Sequence, residues 1–180
     1  MRFAASRDAA LERLLAFVPR AGRTYAAQRN YDRGPGRHEA VSQLSPYVRH
    51  RVVTEAEVLA AVLERHGTTG AAKFVDEVFW RTYWKGWLET HPAAWTRYLR
   101  QLDQQRAEMN GDDARRADYE RAIAGATGIE PFDAWVRELT SDNYLHNHAR
   151  MWFASVWIFT LRLPWEVKSQ ICCNSGSSIA

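Results

Sequence analysis

The sequence contains few of the features that would place the chain outside a reducing compartment or in a membrane. It has two cysteines in 180 residues, and they are neighbours, Cys172 and Cys173. Adjacent cysteines are poorly placed to bridge each other, and two thiols supply neither a disulfide framework nor a four-ligand zinc site. The longest apolar run, 151–161, is shorter than the roughly 18 to 20 residues that cross a bilayer. We therefore predict a cytoplasmic protein without a membrane span.

No run of alternating apolar and polar residues predicts a β-strand, whereas apolar residues recur at helical spacing along most of the chain. Turn signals separate the helical segments at 31–39, 109–113 and 125–131. The sequence therefore predicts an all-α helical bundle in one domain. The predicted helices cover 7–17, 54–67, about 71–89, 93–122 with an interruption at 109–113, 131 to about 140, and about 145–162.

Acidic residues are scarce in the first third of the chain. Residues 1–53 contain ten arginines and four Asp or Glu, whereas residues 54–180 contain fourteen Lys or Arg and seventeen acids. A basic N-terminal third favours a polyanionic partner, such as nucleic acid or a nucleotide phosphate, and fits an arginine-rich solvated surface equally well. The eight tryptophans stabilise any core, and they are also typical of proteins that stack bases or a ring cofactor.

The segment VSQLSPYVRHR (41–51) is the first candidate site. Ser45 before Pro46 predicts an N-cap followed by the first helical residue, with the hydroxyl of Ser42 close to the same helix start. Backbone N–H groups and hydroxyls at a helix N-terminus bind phosphate, and Arg49 and Arg51 follow closely. The alternative is an ordinary capped helix without a ligand.

The segment DEVFWRTYWKGW (76–87) is the second candidate. On a helix, Glu77, Trp80 and Trp84 share a face, so a carboxylate lies beside two indoles. Such a face suits a flat ligand that stacks on indole and donates hydrogen bonds to the carboxylate. In the alternative, Glu77 pairs with Arg81 at the surface while the tryptophans pack inward.

The segment YLHNHARMWFASVWIFTL (144–161) is the third candidate, because polar residues precede a long apolar run. His146 and His148 are two residues apart and point in different directions on a helix, which argues against a metal site. We expect Asn147, Arg150 and Met151 to face a ligand cavity while the apolar residues after them anchor the helix.

Taken in order, these blocks resemble the flavin-binding half of the DNA photolyase and cryptochrome family. The resemblance includes Tyr25 with Arg29, then VSQLSPYVR, DEVFWRTYW, TGIEPFDAWVREL, LHNHARMWFAS and LPW. It implies an all-helical domain that binds FAD, with a basic rim that docks on DNA containing a pyrimidine dimer. It also assigns residues to the cofactor: Tyr25, Ser42, Gln43, Leu44, Ser45, Arg81, Asn147 and Arg150.

The same resemblance assigns roles in a light-driven reaction, in which reduced flavin passes an electron to a cyclobutane dimer and the electron later returns. Glu77 would hydrogen-bond the pyrimidine pair, Trp80 would stack on it, and Asn147 and Met151 would line its pocket. Trp165 matches the middle member of the family's electron-transfer tryptophans. Two alternatives stay open: a cryptochrome-like light sensor without repair activity, and a truncated fragment that does not hold FAD.

The chain departs from the family pattern after Glu166. We therefore expect residues 1–166 to form a partial FAD-binding domain, and residues 167–180 to be a disordered or non-native tail. Arg150 would lack the aspartate that pairs with it in the family, and Val41 replaces a usual threonine. The resemblance includes no antenna domain and implies no metal; we expect a monomer.

Overall fold

Helices account for all the regular structure in the part of the chain that the computed structural model describes, residues 3–168. The α-helices are α1 (Arg7–Phe17), α2 (Arg23–Gln28), α3 (Ser45–Arg49), α4 (Glu55–Thr90), α5 (Pro92–Asn110), α6 (Asp113–Ala124), α7 (Glu130–Asp142) and α8 (Asn147–Ser155). Single 3₁₀ turns lie at Val18–Arg20 and Glu166–Lys168, and a π-helical turn, Val156–Thr160, continues α8. The prediction of an all-α fold is confirmed. Within the described range, no helix is long and apolar enough to span a membrane.

The chain forms two structural units that meet in sequence between Thr90 and His91. The N-terminal unit comprises α1 to α4, and the C-terminal unit comprises α5 to α8 with the turns that follow. Most of the predicted tail, residues 169–180, lies outside the described residues. Val167, at the predicted start of that tail, is fully buried in the core of the C-terminal unit.

Three aromatic rings contributed by α1, α2 and α4 lie at the centre of the N-terminal unit. Phe17, Tyr25 and Phe74 contact each other in pairs, with ring centroids 5.2 to 5.9 Å apart. All three are buried, and edge-to-face or tilted contacts of this kind add to the stability that burial alone provides. Tyr25 is therefore held on a rigid framework of three helices.

The long helix α4 begins with the predicted reciprocal cap. The backbone N–H of Thr54 donates to Glu57 Oε2 over 2.9 Å, and the N–H of Glu57 donates to Thr54 Oγ1 over 3.2 Å. Val53 and Val58, on either side of the cap, are buried as a hydrophobic staple requires. Arg7 of α1 also donates to Glu57, which ties the helix start to the rest of the unit.

Gly67 interrupts α4 where the sequence predicts a helix end. Its backbone has φ +65° and ψ 177°, a conformation that glycine adopts without the penalty that a side chain would bring. Helical backbone resumes directly after it and continues to Thr90, without the gap that we expected before Ala71. α4 is therefore a kinked helix, because only one residue departs from helical geometry.

The C-terminal unit is built around stacked aromatic rings from α7 and α8. Phe132 and Phe153 stack with centroids 4.6 Å apart, and Trp157 lies against both. Trp157 is fully buried, and its indole N–H donates to the carbonyl of Pro164 over 2.8 Å. Phe153 and Trp157 therefore anchor α8 in this core, but the prediction that the whole apolar run after Met151 is an anchor is too broad, because Trp152, Ile158 and Phe159 are exposed.

Candidate functional site

A cavity of about 180 Å³ opens in the N-terminal unit beside α4. Its wall includes six residues that the sequence analysis assigned to cofactor or substrate: Tyr25, Ser42, Leu44, Ser45, Glu77 and Arg81. The other lining residues are Val48, Glu55, Val58, Phe74 and Val78. Apolar walls with a few convergent polar groups are typical of small-molecule sites. Segments that are distant in sequence thus meet at one place.

Glu55, which lines the cavity, pairs with three cationic side chains. Arg81 Nε lies 3.1 Å from its carboxylate, and Lys85 Nζ and Arg51 Nη1 lie 3.9 Å from it. Burial alone would raise the pKa of Glu55, but hydrogen bonds from its own backbone and from Arg81, with the charges of Lys85 and Arg81, outweigh burial and lower that pKa. The glutamate is therefore ionised at neutral pH.

Glu77 is the second carboxylate of the cavity and also pairs with cations. Lys73 Nζ lies 3.3 Å from Glu77 Oε1, and Arg29 Nη2 lies 3.5 Å from the same atom. The predicted alternative, a pair with Arg81, is replaced by these contacts, because Arg81 turns to Glu55.

Together, five cationic side chains share these two carboxylates. Arg81 lines the cavity and the other four cations pair with its two carboxylates, so these seven side chains together carry three more positive than negative charges. Clustered positive charge of this kind attracts an anionic ligand, and phosphate and carboxylate groups are the ordinary partners of arginine.

The start of α3 differs by one residue from the prediction. Leu44 is the N-cap, because its carbonyl accepts the first helical hydrogen bond, from the N–H of Val48 over 2.9 Å. Ser45 is the first helical residue, and Ser42 Oγ accepts a hydrogen bond from the N–H of Leu44 over 3.3 Å. With only five residues, α3 contributes little helix dipole. Anion binding at this cavity would therefore rest on hydroxyls and cationic side chains.

Gln43 lies between two residues that line the cavity but is not itself part of the wall. It is buried and has a left-handed backbone, φ +53°. Its side chain contacts Arg13 of α1 and the backbone of His38.

Trp80 belongs to a row of aromatic rings on the exposed side of α4. Trp80, Tyr83 and Trp84 are each about half exposed, and successive rings meet edge to face with centroids 5.6 and 5.3 Å apart. The alternative in which these tryptophans pack inward is therefore wrong. Glu77 lines the cavity one turn before Trp80, so the carboxylate and the indole are close along the helix.

In the C-terminal unit, the first turns of α8 present the predicted residues. Asn147 and Met151 are exposed and one helical turn apart, opposite the buried side chain of Phe153. Arg150 is half-buried, and its Nε atom is buried without a hydrogen-bond partner among residues 3–168. Because an unpaired polar atom is costly to bury, Arg150 is suited to receive an acceptor.

The two histidines of this segment serve the helix start. His146 is the N-cap of α8, and its Nδ1 atom accepts from the N–H of His148 over 3.2 Å. Helix α8 therefore begins at Asn147, two residues later than predicted. In the described part of the chain, no group of three or more His, Cys, Asp or Glu side chains could hold a metal ion.

Trp165 lies in a second aromatic group of the C-terminal unit. Its ring contacts Tyr98 of α5 at 5.3 Å, and Tyr98 stacks on Trp95 at the same centroid distance. The hydroxyl of Tyr98 also donates to the backbone carbonyl of Glu166 over 3.2 Å. Trp165 is half exposed and in direct ring contact with a second oxidisable side chain.

Sequence reasoning missed several charged residues of the cavity. The spacing of four residues in Lys73–Glu77 was a usable signal, because such pairs meet on a helix, whereas Arg51 lies in the turn before α4, where helical spacing predicts no pair with Glu55. The contact of Glu55 with Arg81 gave no signal, since 26 residues separate them and α4 is kinked between them.

Comparison with known proteins identifies the family of the chain. Residues 74–174, more than half of the chain, match the family model described as the FAD binding domain of DNA photolyase. A deoxyribodipyrimidine photo-lyase of Thermus thermophilus is 36% identical over 159 residues, which cover 88% of this chain and 36% of that protein. A second one, from Streptomyces griseus, is 32% identical over 129 residues, covering 71% of this chain and 27% of its own length.

The fold is similar to a solved structure. The crystal structure of a bacterial class III photolyase from Agrobacterium tumefaciens superposes with a TM-score of 0.72 at 24% identity, covering 97% of this chain and 34% of that one. The chain thus spans about a third of the length of these relatives. With the family model matched over more than half of its residues, the chain belongs to the family of FAD-binding domains of DNA photolyases, whose cofactor is FAD.

Proposed function

We propose that the chain forms part of a light-driven DNA-repair flavoprotein and that the cavity of the N-terminal unit receives the phosphate part of FAD. The observation that carries the proposal is the excess of positive charge on the side chains that pair with the two glutamates of a cavity that also contains two serine hydroxyls. A diphosphate matches this set, because its oxygens accept hydrogen bonds and its charge offsets the cations.

The size of the cavity sets how much of the cofactor it can receive. Its volume of about 180 Å³ is below the roughly 300 to 1,000 Å³ of sites that enclose a drug-sized ligand. It therefore suits one part of a dinucleotide, and the charge selects the phosphates. The residues present fit the cofactor that the family binds.

The polar residues at the cavity have defined tasks in this proposal. Ser42 and Ser45 donate hydroxyl hydrogen bonds to phosphate oxygens, while Arg81, with Lys85 behind it on Glu55, neutralises their charge. Arg81 can turn part of its guanidinium from Glu55 to the phosphate, since it has five donors. Tyr25, fixed by its aromatic neighbours, closes one side of the cavity.

The substrate of the whole protein is proposed from its relatives, which are named deoxyribodipyrimidine photo-lyases. Photolyases are among the enzymes that take the target base out of the duplex. Exposed Trp80 offers a ring on which an extruded pyrimidine pair can stack, and Glu77 offers an acceptor one helical turn away. We keep Asn147 and Met151 as proposed substrate contacts because both are exposed on one face of α8.

The cofactor supplies the electron chemistry when it is bound in reduced form and excited by blue light. The protein binds the cofactor, orients it and shields it from water. For this chain, Arg150 is proposed to bind near the flavin ring, and its unpartnered Nε atom supports that role. Trp165 stays a proposed electron-transfer residue, and its ring contact with Tyr98 supports that assignment. Cytoplasmic location and the monomeric state remain predictions.

The first experiment measures FAD binding by the purified chain and by the variant Arg81→Ala. Loss of one charge-assisted contact, worth about 1.5–3 kcal/mol, predicts an affinity roughly 10- to 100-fold weaker. Arg65→Ala removes an exposed arginine from the same helix and should leave the affinity unchanged. Equal loss in both variants would argue against a phosphate site at the cavity.

The second experiment tests repair. The FAD-loaded chain, with the flavin reduced, is illuminated with blue light in the presence of an oligonucleotide that contains one cyclobutane thymine dimer. Restoration of the thymines supports the repair function. Reversible flavin photoreduction without repair supports the light-sensor alternative, and a chain that does not retain FAD supports the inactive-fragment alternative.

A further inference from the structure

The loop that carries Ser42 to the cavity is fixed through the side chain of Gln43. Gln43 is 7% exposed, and its carboxamide joins two separate parts of the N-terminal unit. Its Oε1 atom accepts from Arg13 Nη1 of α1 over 2.7 Å, and its Nε2 atom donates to the carbonyl of His38 over 3.3 Å. One side chain therefore ties α1 to the loop that precedes α3.

The chemistry of the partners fixes the orientation of this carboxamide. A guanidinium has only donors and a backbone carbonyl only accepts, so the oxygen of Gln43 must face Arg13 and its NH₂ group must face His38. The contact with Arg13 is charge-assisted and short, which makes it the stronger of the two. The residue at this position therefore needs a side chain as long as that of glutamine, with one acceptor and one donor at its end.

The backbone of Gln43 connects this contact to the cavity. Its φ of +53° is a left-handed conformation that non-glycine residues rarely adopt, so the surrounding contacts must hold it. With this conformation the side chain of Gln43 contacts α1, while its sequence neighbours Ser42 and Leu44 line the cavity. Ser42 Oγ then lies 3.3 Å from the N–H of Leu44, where it accepts a hydrogen bond.

We infer that Gln43 is a positioning residue: held by Arg13 and His38, it keeps the hydroxyls of Ser42 and Ser45 directed at the phosphate part of FAD. It acts through these serines and makes no contact with the ligand itself. The inference rests on the proposed function of the cavity and deepens it, because it makes phosphate recognition depend on a contact with α1 outside the cavity.

The test compares the affinity of the chain for FAD with its affinity for riboflavin, which has no phosphate. Gln43→Ala removes the carboxamide contacts, and the preference for FAD over riboflavin should fall about tenfold. Gln28→Ala is the matched control, since Gln28 also accepts from an arginine of the same unit, Arg33. That control should keep the preference of the unchanged chain.

A second comparison separates positioning from a general loss of structure. In a chain that already carries Ser42→Ala and Ser45→Ala, adding Gln43→Ala should change the preference by less than twofold, because residues that act as one unit are not additive. Gln43→Glu, which keeps the acceptor for Arg13, should recover part of the preference.

Four results overturn the inference. One is an unchanged preference in Gln43→Ala, and another is full additivity with the serine changes. The third is loss of the folded state in both Gln43→Ala and Gln43→Gly by circular dichroism, which would make the role structural only. The fourth, no preference for FAD in the unchanged chain, would overturn the proposed cavity function first and this inference with it.

Discussion

At the scale of single residues, Asp133 shows how a buried carboxylate shapes a loop. It accepts from the N–H of Thr127 over 3.0 Å, from the hydroxyl of Thr127 over 2.7 Å, and from the N–H of Gly128 over 3.0 Å. Burial alone would raise the pKa of Asp133, but these hydrogen bonds and the charge of Arg137 outweigh burial and lower it. The carboxylate therefore closes the turn before α7.

This arrangement predicts how stability depends on pH. Because the pKa of Asp133 is lower in the folded than in the unfolded state, its contribution is fully present above the unfolded-state value of about 3.9. The contribution is lost as the pH falls through the lower, folded-state pKa. Thermal unfolding between about pH 6 and pH 2 should show a steeper acid decline in the unchanged chain than in Asp133→Asn.

Asp133→Asn should also destabilise the chain at neutral pH, by about 1–3 kcal/mol, because an amide cannot accept all the hydrogen bonds that the buried carboxylate accepts. Asp118→Asn is a suitable control, since Asp118 is half exposed and its partner, Arg121, lies one turn away on the same helix, α6. Its effect should stay within about 0.5 kcal/mol. Equal denaturation midpoints for the two variants would contradict the assigned role of Asp133.

At the scale of elements, local chemistry predicts most helix starts and ends. Helix α1 has the predicted limits, and the cap formed by Thr54 and Glu57 is confirmed because it depends on residues three apart. The errors at α8 have one local and one long-range cause. Helix α8 starts late because the ring of His146 accepts the N–H of His148, and its end widens into a π-helical turn around buried Trp157, which no local pattern predicts.

The kink of α4 gives a prediction about a single element. Gly67→Ala places a side chain at φ +65° and should destabilise the N-terminal unit by about 1–3 kcal/mol. A Cβ atom would meet no atom within 4 Å there, so the cost is conformational and not steric. Denaturant unfolding followed by circular dichroism measures the change.

Gly86→Ala is the control on the same helix. Gly86 also has open space at its Cβ position, but its backbone is helical. Alanine should therefore be neutral there or stabilise by roughly 0.5–1 kcal/mol. If both substitutions had the same sign and size, the conformation assigned to Gly67 would be wrong.

At the scale of the whole molecule, the order of the motifs indicates the family more strongly than any single motif does. The family and its all-α fold follow from that order and are confirmed. Of the predicted cofactor residues, Tyr25, Ser42, Leu44, Ser45 and Arg81 meet at one cavity. The position of Gln43 outside it depends on contacts across 30 and 5 residues, which a linear motif does not contain.

The basic character of the sequence is partly explained by ion pairs at the cavity. The two glutamates of the cavity pair with Arg29 and Arg51 from the arginine-rich first third of the chain and with Lys73, Arg81 and Lys85 from α4. Part of the basic excess in the sequence is therefore gathered around two glutamates. This arrangement supports the proposed phosphate ligand at the cavity, and nucleic acid as a polyanionic partner stays a prediction.

The most direct measurement is a crystal structure of this chain with FAD. We expect the diphosphate to lie in the cavity of the N-terminal unit, with at least one oxygen within about 2.7–3.2 Å of Ser42 or Ser45 and of Arg81. A diphosphate bound at any other place, with the cavity empty and Arg81 still held by Glu55, would contradict it.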